Sequence, residues 1–206
     1  MTVHRVHKRS RKPLSAHTSS VSPQLSTASR LALEDDEVGL YAAQLARALR
    51  KSPRFCSAIR HAASFRDAGK QLAREHGLIP LDDTLPPQRS LKQRIAVESR
   101  LARRYLHDSD DPILAMASDI ASSYRERWDG RGFPHGLAGH EIPESARIVA
   151  ICVTYCALTQ ETAHGVHWIK EDALAYIHSQ AESRFDPRMV DIFPGILDSP
   201  TQGIHA

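Results

Sequence analysis

Over most of this 206-residue chain, apolar residues recur every three or four positions, and no segment alternates apolar and polar residues between hairpin turns. That periodicity restricts the chain to an all-α fold of amphipathic helices. The first pattern starts at Glu34, where EDDEVGLYAAQLARALR puts Val38, Tyr41, Ala42, Leu45 and Leu49 on one face. Its acidic residues lie at the N-terminal end, where the helix dipole favours them. PRFCSAIRHAASFRDAGKQLAREHG predicts a second helix or helix pair ending at Gly77, and LIPLDDTLPPQRS a Pro-rich connection. SLKQRIAVESRLARRYLHD distributes Leu91, Ile95, Val97, Leu101 and Leu106 for a third helix, and DPILAMASDIASSYRERW starts a fourth at Pro112. DGRGFPHGLAGHEIP holds four Gly and two Pro and must be a loop. PESARIVAICVTYCALT is apolar enough for a buried helix; KEDALAYIHSQAESRF and DPRMVDIFPGIL supply two more. No internal repeat is present.

Charge is unevenly placed. Six of the 27 basic residues and none of the 24 acidic ones fall in residues 1–30, so the rest of the chain is slightly acidic. The basicity belongs to a tail, which argues against a dedicated nucleic-acid-binding domain. Residues 1–30 are rich in Ser and basic residues and poor in large apolar groups, and are expected to be disordered. Residues 31–198 are expected to form one domain and 199–206 a short tail. No apolar run approaches the roughly 20 residues of a membrane span, and no apolar segment follows the basic start to make a secretory signal. Cys56, Cys152 and Cys156 form no CxxC pair, which suits reduced thiols in a cytoplasmic protein; Cys152 and Cys156, four apart, read as core residues. Of twelve His, His4, His7, His17 and His205 fall in the tails, and His135 and His140 in the Gly-rich loop. His164 and His167 have HxxH spacing without a carboxylate partner, so no metal is expected from them. No phosphate-binding Gly loop or serine nucleophile elbow is present.

Four stretches carry a family resemblance in a fixed order: RDAGK (Arg66 to Lys70), ERWDGRGFP (Glu126 to Pro134), GLAGHEIPESARIVAI, and RFDPRMVDIF (Arg184 to Phe193). From about Glu34 to Leu197 the chain resembles an HD-GYP domain, the bacterial family that hydrolyses cyclic di-GMP. The resemblance implies an HD-domain-like helical bundle. It also implies a site where clustered His and Asp hold two or three iron or manganese ions and activate a water.

At the positions the resemblance assigns to those ligands, this chain has other residues. The His of the His-Asp pair is Arg66, followed by a retained Asp67; the third-helix His is Glu98; the paired His are Tyr124 and Arg125. The buried-helix Asp residues are Val153 and Cys156, and the Arg-Pro-Tyr-Arg segment is Thr162, Ala163, His164 and Gly165. Asp67 and Glu98 remain as oxygen donors, and no imidazole stands at any such position, so no cofactor is expected. Arg66 and Arg125 repel cations and can pair with Asp67, Glu98 or Glu126. The leading expectation is an ion-pair network in place of the metals; the sharper one is that both arginines attract the phosphates of a cyclic dinucleotide without cleaving it. Lys70 is either an anion contact or a partly exposed structural lysine.

The loop residues Asp129, Gly130, Gly132, Phe133 and Pro134 survive, with Phe in place of the family's Tyr. In the family this loop also touches partner proteins, notably GGDEF-type diguanylate cyclases; alternatively its glycines and proline only shape a turn. The resulting expectation is a catalytically inactive signalling module acting by protein contact, with neither membrane insertion nor sequence-specific nucleic-acid binding. The alternatives are a cyclic di-GMP phosphodiesterase with a reduced site, for which Asp67 and Lys70 would be the relics, and a non-hydrolysing cyclic di-GMP receptor. The thirty or so residues before the domain are too few for a receiver or sensor, so input is expected from a separate partner or a ligand.

Overall fold

The computed structural model describes residues 37–78, 89–106, 110–160 and 167–198. The expected tails, the start of the domain before Glu37, most of the Pro-rich connection, residues Thr162 to Gly165 and the first half of the HxxH pair lie outside the described residues. Among the described residues the structure is helical, with one isolated bridge between Ala181 and Phe185 and no strand.

Helix α1 (Glu37–Ala48) buries Val38, Ala42, Leu45 and Ala46, the three- and four-residue stripe of its sequence. Helix α2 (Pro53–Ala62) starts on a strong local signal. Ser52 caps it by accepting from Phe55 N at 3.2 Å, and Pro53 occupies the first turn, where a missing N–H costs nothing. A 3-10 turn (Ala63–Asp67) then leads into α3 (Ala68–Glu75), so the expected helix pair is two α segments joined by a tighter one.

Helix α4 (Arg89–Leu106) differs from its sequence reading. Its buried face is Ile95, Glu98, Ser99, Ala102 and Leu106; Leu91 is 45% exposed, and Val97 and Leu101 are half-buried. Marking only apolar residues misses a face whose centre is polar. Helix α5 (Pro112–Ser123) is capped by Asp111, which accepts from Ile113 N at 2.8 Å. After the loop, α6 (Glu144–Thr159) runs through the core with Ile148, Val149, Ile151 and Cys152 fully buried. Helices α7 (Lys170–Ser179) and α8 (Pro187–Leu197) close the bundle, α8 capped by Asp186, which accepts from Arg188 N at 3.0 Å.

Helix α1 packs on α2, α6 and α8, while α4 bridges α3 and α5. The Tyr155 ring of α6 meets Tyr41 of α1 at 5.5 Å and Phe193 of α8 at 5.3 Å, both edge-on. Cys56, Cys152 and Cys156 are free and buried. No helix among the described residues is long and apolar enough to cross a membrane.

Candidate functional site

Three segments meet at one cluster of charges. Asp67 ends the 3-10 turn, Glu98 sits in the middle of α4, and Tyr124 and Arg125 follow α5. Gly69 makes the meeting close: a Cβ there would lie 2.0 Å from the backbone oxygen of Glu98, so only glycine lets α3 lie against α4 at this distance. Arg125 reaches across the gap. One guanidinium nitrogen donates to Glu98 Oε2 at 2.9 Å and the other to Asp67 Oδ1 at 3.4 Å. The Glu98 side chain is 3% exposed; Arg94 Nε, one turn earlier on α4, lies 3.7 Å from its Oε1. Arg66 Nε stands 3.9 Å from Asp67 Oδ2, and its guanidinium also donates to Ala63 O at 3.2 Å.

Tyr124 completes the cluster. Its hydroxyl donates to Asp67 Oδ1 at 3.1 Å, and its ring lies 4.6 Å under the Arg125 guanidinium. Burial pushes the phenol pKa well up; Arg125 opposes the shift, and the Asp67 charge adds to it. Tyr124 therefore stays protonated and remains a donor. Lys70, one turn after Asp67, is half-buried and makes no ion pair among the described residues. Of the anticipated pairings, those of Arg125 with Asp67 and Glu98 and of Arg66 with Asp67 are present. Glu126 does not join them.

These residues do not fit an iron or manganese cluster. The two carboxylates face guanidinium groups rather than a shared open position, and the neighbouring hydroxyl is a protonated donor. Val153 is half-buried against the core and Cys156 is buried. Among the described residues no three His, Cys, Asp or Glu side chains are placed to hold a metal ion.

The Gly-rich loop is held by its own polar groups. Buried Glu126 accepts from His135 N at 2.7 Å, pinning the far side of the loop to its start. Arg127 and Asp129 form a two-bond fork at 3.1 and 2.8 Å, and Asp129 also accepts from Arg131 N at 3.0 Å. The fork holds the Asp129 carboxyl down at about 2. Gly130 has φ 74°, a left-handed conformation that glycine takes freely. At Gly132 a Cβ would come within 2.3 Å of Arg127 N, so the chain passes over itself there. Phe133 lies 4.3 Å under the Lys92 ammonium of α4, and His135 Nε2 is 3.3 Å from Ser99 Oγ on the same helix.

A second node ties the loop to the C-terminal segment. Trp128 N donates to Arg184 O at 3.2 Å and Asp129 N to Ser183 O at 2.9 Å. Arg147 of α6, almost buried, binds Asp186 Oδ2 at 2.6 Å and donates to Ile142 O at 3.0 Å, with His140 Nδ1 at 3.2 Å. Sequence reading assigned no role to Arg147, Asp186, Arg94 or Tyr124. Arg94 carried a local signal, lying four residues before Glu98 on a helix; the Arg147–Asp186 contact spans 39 positions and carried none.

The sequence and the fold resemble known proteins. The family model described as "HD domain" matches residues 9–189. A cyclic di-GMP phosphodiesterase of Thermotoga maritima is 30% identical over 159 residues, covering 77% of this chain and 42% of the relative. The cyclic di-GMP phosphodiesterase response regulator RpfG of Xanthomonas campestris is 38% identical over 92 residues, 45% of this chain and 24% of the relative. The chain thus spans less than half the length of either. Among solved structures, a cyclic GMP-AMP specific phosphodiesterase of Vibrio cholerae superposes with TM-score 0.61 at 17% identity, over 82% of this chain and 44% of that one. An HDG"Y"P protein of Bdellovibrio bacteriovorus gives 0.57 at 18% identity, over 84% and 53%. The chain belongs to the HD domain family, as a member of its HD-GYP group.

Proposed function

We propose that this chain is an HD-GYP module in which an ion-pair cluster has replaced the metal site. In this reading it does not hydrolyse cyclic di-GMP and acts in bacterial cytoplasmic signalling through protein contact. One observation carries the reading: the Arg125 guanidinium lies between Asp67 and Glu98 and engages both carboxylates. A tethered cation at that place excludes a divalent ion by charge and by occupancy. Glu126 and the Arg127–Asp129 fork hold the loop through the chain's own groups, which leaves it available as a contact surface for partners such as GGDEF-type cyclases. Binding of cyclic di-GMP is expected to be weak, because Arg66 and Arg125 already face Asp67.

The test is to incubate purified protein with cyclic di-GMP and added manganese or ferrous iron and to follow product by chromatography. No turnover is expected. Turnover that disappears in Asp67→Ala would establish the second reading, a phosphodiesterase with a reduced site, which the names of the relatives favour. The contact role is tested by affinity capture of a purified GGDEF-type cyclase domain with the native loop and with Gly132→Ala.

A further inference from the structure

The exposed side of α4 carries cations and no carboxylate among the described residues. Lys92, Arg100, Arg103 and Arg104 are exposed on one side of the helix, and none makes an ion pair among the described residues. The one acidic residue of the helix, Glu98, is buried on the opposite face. An exposed helix usually interleaves charges of both signs at three- and four-residue spacing; here Arg100 faces Arg103 and Arg104 at those spacings and repels them. The helix dipole accounts for Arg103 and Arg104, which lie in the last turn, but not for Arg100 or Lys92. A repulsion that no carboxylate among the described residues offsets points to an external anion.

The stripe is continuous with the Gly-rich loop. Lys92 sits over the Phe133 ring, and Ser99 meets His135. The loop also carries an exposed Arg131, while Asp129 is paired with Arg127. The half-buried Phe133 thus has Lys92 over its ring and Arg131 two residues before it in the loop, with the remaining arginines extending along α4. An aromatic ring beside cations suits a protein surface in which a small apolar patch is rimmed by carboxylates, the kind of partner the proposed contact role requires; nucleic-acid bases also stack on such rings, and the DNA arms of the test separate the two.

We infer that the outer face of α4 and the Gly-rich loop form one docking surface for an acidic protein partner. This rests on the contact role proposed above and names the chemistry of the partner. The probe is a fluorescein-labelled peptide of glutamates around a central Phe-Leu pair, compared with the same peptide carrying Gln for Glu and with single-stranded and duplex DNA. Binding to the 206-residue chain is read by anisotropy at physiological salt. The glutamate peptide is expected to bind best. Arg100→Glu with Arg103→Glu and Arg104→Glu should weaken it roughly tenfold or more, since like charges face each other across the contact. Arg54→Glu on α2 should leave it unchanged. These arginines are exposed and make no ion pair among the described residues, so circular dichroism should show the variant folded. No peptide binding, binding indifferent to the triple reversal, or tighter binding of either DNA would overturn the inference. Hydrolysis of cyclic di-GMP by the native protein would instead defeat the inactive-module reading and leave the peptide result standing.

Discussion

The Arg125 guanidinium donates to Glu98 Oε2 at 2.9 Å, joining the segment after α5 to the middle of α4 across 27 positions of sequence. Glu98 is almost wholly buried, and the guanidinium groups of Arg125 and Arg94 are the cations it faces. The same guanidinium reaches Asp67, and one side chain thereby connects three segments.

Arg125→Ala removes that connection and leaves a buried carboxylate with only the longer Arg94 contact. The expected loss is about 1–3 kcal/mol of stability, the usual cost of stranding a buried polar group. Denaturant unfolding measures it. Arg125→Lys should recover only part, because an ammonium cannot present two nitrogens in a fork.

The Arg147–Asp186 pair is more deeply buried, at 11% and 5% side-chain exposure. Asp186→Ala should cost about 3–5 kcal/mol, as expected when one partner of a buried ion pair is removed. The change also deletes the cap of α8. Amide exchange should rise at Arg188 and Trp128 together if the node couples the loop to α8.

Asp129 gives a pH signature. Its folded pKa of about 2 lies below the unfolded carboxylate value of about 3.9, so its stabilisation is complete above the higher value and lost as pH falls through the lower. The stability gap between native protein and Asp129→Asn should be constant near neutrality and close as pH drops from about 4 to about 2. A gap that persists at the acid end would mean the fork contributes through shape alone.

Gly69→Ala tests the frame of the site. The added methyl meets the backbone of Glu98, which cannot rotate away as a side chain would. Helices α3 and α4 must separate, at an expected cost of about 1–3 kcal/mol by calorimetry, as for overpacking in a core.

Helical periodicity made the all-α fold legible, and the caps at Ser52, Asp111 and Asp186 lie where Ser or Asp precedes Pro. The pairing of Arg66 and Arg125 with Asp67 and of Arg125 with Glu98 was legible too, because arginine at positions the family resemblance gives to metal ligands changes the sign of the site; the parts of Arg94 and Tyr124 were not. The buried face of α4 was not. Glu98 and Ser99 take core positions only because Arg125, Ser122 O and His135 supply partners from other segments, and those contacts exist only after folding. The role of Glu126 was missed for the same reason: its partner is a backbone N–H nine residues on.

Metal content offers the most direct measurement. The purified 206-residue chain is incubated anaerobically with manganese or ferrous iron, desalted and analysed by plasma mass spectrometry beside Asp67→Ala. Far less than one ion per chain, unchanged by the substitution, is the expected result. One or more ions per chain, lost in Asp67→Ala, would contradict the replacement of the metal site by Arg125.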